Sequence, residues 1–364
     1  MDVRLSPEQR ALRDSAAQVV ERWGPHAVGQ LDDTERRAKL DAAVAAAGWR
    51  ELRAAADEDG TPWASGVEVG IVAEELGRRL ADVAFLGPTL AAELRRLAGA
   101  PPAPAPETVA LVSDLSALAA TVDGALPPRT VALDAQGSST ALVLVPAAGG
   151  LSIGQVAVDR GPAMAPARVD LTRPVVDVDA AATVEVLPHQ DRVLTGTVLT
   201  RWTALGLAAA CADLVGTMRG AVQLTCDYAR ERRQYGRPIG SFQAVQHLLA
   251  DAHVSTEGSR SAALHAAWAV DALEPTDAVA AAALAKAYCA RAARAVCETA
   301  IQVHGGIGNT WECLAHVHLR RALLSTAVLG GVGPSLARVL DYHGISDGTG
   351  DGTGDAPGGE RGLR

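Results

Sequence analysis

Aromatic residues are scarce in this chain. Six Trp, four Tyr and two Phe make up 3% of 364 residues, although hydrophobic residues reach 48%. Alanine and leucine must therefore fill most of the core, which favours close-packed helices over a sandwich or barrel throughout. Basic residues are in the minority as well. A net charge of −9 and a pI near 5.5 exclude a broad nucleic-acid footprint, which needs clustered basic surface. The five cysteines, at 211, 226, 289, 297 and 313, are odd in number and form no CxxC pair. They exclude a disulfide framework and suit small helix-interior residues of a reducing compartment. The opening MDVRLSPEQR holds no hydrophobic signal core, and no stretch reaches the uncharged apolar run of about 20 residues that a membrane span needs. The expected setting is a soluble protein of the cytoplasm.

What is present falls into three blocks and a tail, in keeping with a length that suggests two or three packed units. Residues 1–100 read as a helical domain. Ser6-Pro7-Glu8-Gln9 and Ser65-Gly66-Val67-Glu68 are capping-box patterns, each followed by apolar residues at helical spacing, and a further helix runs from 34 to 47. PPAPAPETVA at 101–110 is a proline hinge. From there to 198 the helical period gives way to short β-favouring runs at 108–112, 130–134, 140–147, 168–172 and 182–187. Glycine and proline separate them, which predicts a short antiparallel β-domain. From 199 to 345 the helical pattern returns, with helices over about 200–230, 242–272, 276–303 and 310–328 that predict a four-helix bundle. The glycine-rich residues 346–364 read as a disordered tail. The fold class expected is mainly α with a small β-domain.

Two segments of the helical block carry chemistry. Residues 230–246, RERRQYGRPIGSFQAVQ, form a basic turn between helices, with fixed guanidinium groups, an aromatic face and a helix start. Such a turn suits a diphosphate bearing an adenine ring. Residues 302–310, QVHGGIGNT, pair an amide side chain with glycines whose bare backbone lets a ligand approach closely. Either one alone is matched equally well by a solvated arginine-rich helix end or a glycine C-cap. Their order and separation make them specific.

Together they resemble the acyl-CoA dehydrogenases, whose bundle carries R-x-x-[FY]-G-x-x-[IL]-x-x-[FH]-Q and, about 70 residues later, Q-x-x-G-G-x-G. Ala73-Glu74-Glu75-Leu76-Gly77 matches that family's E-E-L-G segment, so the resemblance covers most of the chain. It implies FAD as cofactor. Arg232 and Tyr235 would meet the pyrophosphate and adenosine, with Gln234 and Gln243 nearby, while Gln302, Gly305 and Gly306 would lie on the same dinucleotide from a neighbouring subunit. It also implies an acyl-CoA substrate and oligomerisation.

Three family features are missing. Residues 101–198 hold neither the E-P-x-x-G-S-D loop nor the W-[IV]-[TS]-[NS] strand that embrace the flavin ring; Trp63 and Trp202 flank that region. The catalytic glutamate is missing too. Counting 27 residues on from Gln302 reaches Leu329, and the family's minority position, 26 residues before Arg232, is Gly206. Neither residue can take the thioester α-proton. Asp213, two turns beyond Gly206, is an acid on a helix of apolar residues, where burial would raise its pKa. It is either a displaced base or an acid bonded to a neighbouring backbone or arginine. His316 and His318, at i and i+2, form no metal pair, Glu312 reads as a capping or interhelical acid, and Arg320-Arg321 is expected to bind acids on neighbouring helices. The pattern resembles the short, base-lacking subunits of actinobacterial heteromeric acyl-CoA dehydrogenases, which work with a base-bearing partner on steroid side-chain thioesters. The alternatives are a self-sufficient or repurposed flavin homodimer with a displaced base, and a flavin-free scaffold.

Overall fold

The computed structural model describes residues 4–57, 60–158 and 169–345. Ser6 and Ser65 are the N-caps foreseen in the sequence. Each accepts from a backbone N–H of its own first turn and completes a capping box, opening α1 (Pro7–Trp23) and α3 (Gly66–Arg78). The two boxes are joined, because the Gln9 amide donates to Glu68 at 2.8 Å. Between them lies α2 (Thr34–Ala46), and Gly48 follows in the left-handed region that ends it. A further helix, α4 (Leu86–Ala98), stands in a segment to which the sequence reading assigned none.

The β-segment is a six-stranded sheet of β1 (Glu107–Leu111), β2 (Val131–Leu133), β3 (Thr140–Ala147), β4 (Gly150–Ala157), β5 (Val176–Asp177) and β6 (Glu185–Val186). Its order is β5-β2-β1-β3-β4-β6. The sheet is mixed, which corrects the antiparallel expectation: β1 and β3 run parallel, with Val109 opposite Leu142. The reason is topological. β2 turns back beside β1, and β3 turns back again on the far side of β1, so two reversals restore the direction. No strand forms over 169–172, and β4 and β5 are strands that the run-by-run reading passed over. Along β1 and β3, Val109, Leu111, Leu142 and Leu144 face the main core, while Ala110, Ala141 and Val143 form a second small core on the other face. A strand buried on both sides reads as one apolar run, which hides its alternation.

Three long helices follow: α5 (Gly196–Glu231), α6 (Gln243–Ala272) and α7 (Pro275–His304). Then come α8 (Ala315–Ala327), which starts later than the 310 expected, and a short α9 (Val332–Tyr342). At 36 residues α5 is about 54 Å long, and it threads the centre of the protein. Small residues let it do so. A Cβ on Gly216 would lie 1.9 Å from the Glu74 carbonyl oxygen, one on Gly220 2.1 Å from that of Arg78, and one on Gly77 2.5 Å from that of Asp213. The α3 and α5 backbones therefore touch, which large side chains would forbid. Two segments, Gly196–Glu231 and Ala315–Tyr342, are long and apolar enough by composition to cross a membrane, unlike the sequence expectation. The apolar window of the first is 72% buried inside the protein, as a core helix requires. The reading of 346–364 concerns residues outside those described.

Candidate functional site

Arg232 caps the C-terminus of α5, and the chain then forms a two-stranded ribbon of β7 (Arg233–Gln234) and β8 (Arg237–Pro238). Tyr235 and Gly236 make its turn with φ of 52° and 78°, the positive pair that a tight hairpin with right-handed twist requires. That turn throws the Tyr235 ring outward, 92% exposed, with its nearest aromatic contact edge-on to Phe242 at 6.2 Å. Arg237 stacks over the other ring, 4.1 Å from the Phe242 centroid. Helix α6 starts directly after, and its N-cap Phe242 supplies no side-chain acceptor. The Phe242 carbonyl accepts the Val245 and Gln246 N–H groups at 3.1 Å, and no side chain of the N-cap meets those of Gln243 and Ala244. Among the described residues Arg232, Arg233 and Arg237 enter no ion pair, which is notable in a chain of net charge −9. Helix end, exposed guanidiniums and aromatic face together make an anion-attracting corner.

Gln302, Gly305 and Gly306 stand at the same end of the bundle. Tyr228, one turn before Arg232, stacks on His304 at 4.4 Å and directs its hydroxyl to the His304 carbonyl at 3.4 Å. Gly305 has φ 68°, and a Cβ on Gly305 or Gly306 would meet nothing within 4 Å. Both therefore present open backbone. All seven residues carried over from the motifs (Arg232, Gln234, Tyr235, Gln243, Gln302, Gly305 and Gly306) are exposed. They form a surface.

The two positions where a catalytic glutamate is sought lie against each other in the core. Leu329, in the turn between α8 and α9, is buried in the left-handed region at φ 57°. A Cβ on Gly206 would lie 2.2 Å from Leu329 Cδ1 and 3.4 Å from Leu90 Cδ2. The Leu329 side chain thus sits on the bare backbone of α5, and none of the three can ionise. Leu115, in the loop after β1, closes the same place from the β-segment, since its carbonyl accepts the Leu329 N–H at 2.7 Å.

Asp213 is buried two turns further along α5, and it is clamped. Arg321 donates from Nε at 3.0 Å and Nη2 at 2.6 Å, Ser325 from Oγ at 2.5 Å, and Arg173 lies 3.4 Å away. Burial alone pushes the carboxyl up, as expected from the sequence. The Arg173 and Arg321 guanidiniums outweigh it and hold Asp213 below the usual carboxylate range. A carboxylate so held is a poor proton acceptor. Arg321 also donates to the Ala81 carbonyl and to Thr172 Oγ1, so the cluster ties α5 and α8 to α3's exit and the β-segment.

The other singled-out residues have structural places. Glu74 and Glu75 bind Arg219 across the α3–α5 contact. His316 packs edge-on against Trp311, while burial drives His318 down to about 3, leaving a neutral ring. Glu312 is exposed, and its backbone N–H bonds Thr310 Oγ1. Sequence reasoning missed Lys286, fully buried on α7 with Nζ 2.5 Å from the Val328 carbonyl. Its signal was available: the chain has only two lysines, and this one interrupts an alanine run.

Comparison with known proteins bears on this arrangement. Residues 198–333 match the family model for the acyl-CoA dehydrogenase C-terminal domain. The acyl-CoA dehydrogenase IpdE2 of Mycobacterium tuberculosis is 32% identical over 333 residues, 89% of this chain and 93% of that protein. The ChsE4–ChsE5 complex of Mycobacterium tuberculosis superposes with a TM-score of 0.76 at 26% identity, over 95% of this chain and all of that one. A variant of the Tcur3481–Tcur3483 steroid acyl-CoA dehydrogenase shares the fold, with a TM-score of 0.74 at 23% identity over 93% and 98% of the two chains.

Proposed function

Because this chain belongs to the acyl-CoA dehydrogenase family, we propose that it serves as a base-lacking subunit that lends its bundle surface to the FAD site of a base-bearing partner. The reaction served is α,β-dehydrogenation of an acyl-CoA thioester, of the lipid or steroid class that the sequence resemblance implies. One observation carries the reading: Leu329 packs on Gly206, so both positions for the family's glutamate are filled by a single apolar contact.

The residues present fit one half of the cofactor. Exposed Arg232 and Tyr235, the uncapped start of α6 and the open Gly305 and Gly306 suit a pyrophosphate and adenosine. The flavin itself supplies the hydride acceptor of the reaction. Arg232 would hold the diphosphate by a charge-assisted bond, Tyr235 would face the adenine, and the glycines would let the backbone approach. In this reading the other half would come from the partner: residues 101–198 hold neither ring-binding motif, and the Leu115–Leu329 bond and the Leu329–Gly206 contact leave no acid at the base position. The ChsE4–ChsE5 neighbour, solved as a complex of two named chains, supports a setting in which a second chain supplies what this one lacks.

The test is flavin absorbance of the purified protein, alone and after co-expression with a base-bearing acyl-CoA dehydrogenase chain. The expected result is bound flavin in the co-purified complex and little in the chain alone. A full flavin complement and turnover in the isolated chain would support the self-sufficient homodimer, and no flavin in either would support the scaffold.

A further inference from the structure

A fully buried lysine is costly, and Lys286 is the only one of the two lysines that the core contains. Its surroundings on α5 and α7 are the thiols Cys211 and Cys289, which are weak acceptors, with Arg338 of α9 and Arg173 of the β-segment as the nearby like charges. Burial draws it down to about 8, so it remains mostly an ammonium at neutral pH. Nζ donates a hydrogen bond to the Val328 carbonyl at 2.5 Å. The next residue is Leu329. Arg338 Nη1 donates to the Leu329 carbonyl at 2.9 Å, and the Leu329 N–H donates to Leu115 at 2.7 Å. Three successive backbone groups around a leucine with φ 57° are thus held from three different elements. A leucine in that conformation persists only where its surroundings over-determine it.

We infer that Lys286 and Arg338 are positioning residues that pin the α8–α9 turn and thereby keep Leu329 seated on Gly206, sealing the place of the absent base. This rests on the reading that the site is closed, and it names what closes it. Lys286 acts from inside the core on the carbonyl before Leu329, and Arg338 acts from the half-buried side on the carbonyl of Leu329 itself. Neither bond serves the packing of α5 against α7, so its loss would be felt in the turn first.

Two amides report on the turn, those of Leu329, bonded to Leu115, and Gly330, bonded to the Ala327 carbonyl at 3.0 Å. In site-resolved hydrogen exchange of the full chain, Lys286→Met is expected to speed both by roughly ten-fold or more, since one charge-assisted bond is lost. Arg338→Met, at a half-buried site where folding is not at risk, should speed them by a smaller factor. Amides in the middle of α5 and α7 should keep their wild-type rates. Unchanged exchange at Leu329 and Gly330 in both variants would overturn the inference, and so would acceleration spread evenly over the bundle, the mark of an ordinary core residue. The readout needs neither flavin nor partner. A negative result therefore leaves the subunit reading standing, and turnover by the isolated chain would sink that reading without touching this one.

Discussion

Two arginines show how one residue type does opposite work in this protein. Arg321 is buried and spends its donors on Asp213, Thr172 and the Ala81 carbonyl. Arg232 is exposed at a helix end and enters no ion pair among the described residues. Asp213→Asn should cost about 3–5 kcal/mol at neutral pH, because it leaves two buried guanidiniums short of a counter-charge. The sign with pH follows from its depressed pKa. The unfolded carboxyl binds its proton first as pH falls, so the stabilisation is full above the ordinary 3.8 and fades below it. Urea denaturation should show the gap between wild type and variant closing as pH drops beneath that value. A gap independent of pH would contradict an ionised, clamped Asp213. Arg232→Ala, in contrast, should leave stability within about 0.5 kcal/mol of wild type. It should weaken flavin retention in the complex by about 1.5–3 kcal/mol, read from the flavin released on dilution. Equal retention would remove Arg232 from the cofactor surface.

At the scale of the elements, the α3–α5 crossing is the contact on which the rest is built. Gly216→Ala would drive a Cβ to 1.9 Å from the Glu74 carbonyl oxygen, and neither helix backbone can yield without disturbing the Glu74–Arg219–Glu75 bonds beside it. Overpacking of this kind costs typically 1–3 kcal/mol, so the thermal midpoint should fall by several degrees. Gly306→Ala, in open space, should leave it unchanged. The helices were legible because their signals are local: Ser6 and Ser65 announce their caps, and Gly48 and Gly305 their ends. What escaped was set by partners distant in sequence. The α4 segment opens without a side-chain cap of its own; its first N–H groups are met by Asp134, 48 and 49 residues away. The parallel β1–β3 pair depends on where the chain reverses, which alternation within a strand does not encode. For the candidate site, counting along the motifs found Leu329 and Gly206 but could not show that they touch, nor that two arginines from other elements reverse the pKa expected for Asp213.

For the whole molecule, the proposed subunit role makes one demand: with Leu329 packed on Gly206, thioester chemistry would be completed by a partner. Purified alone, the chain should not reduce ferrocenium with any acyl-CoA of a panel. Two physical losses combine. General-base catalysis is worth roughly 10²–10⁴-fold in rate, and no carboxylate stands at Leu329 or Gly206. Positioning of donor and acceptor carries a comparable share of the barrier, and residues 101–198 hold neither of the two ring-binding motifs that the family resemblance leads one to seek. Asp213 is a poor substitute, because two guanidiniums favour its ionised form and resist its protonation. A base-bearing partner avoids both losses while using the surface this chain retains, so turnover should appear on co-expression and fall with Arg232→Ala of this chain. Robust turnover by the chain alone would overturn the subunit reading. Asp213→Asn in that active protein would then decide the matter, since abolished turnover with flavin still bound would identify a base that the ground-state geometry disfavours.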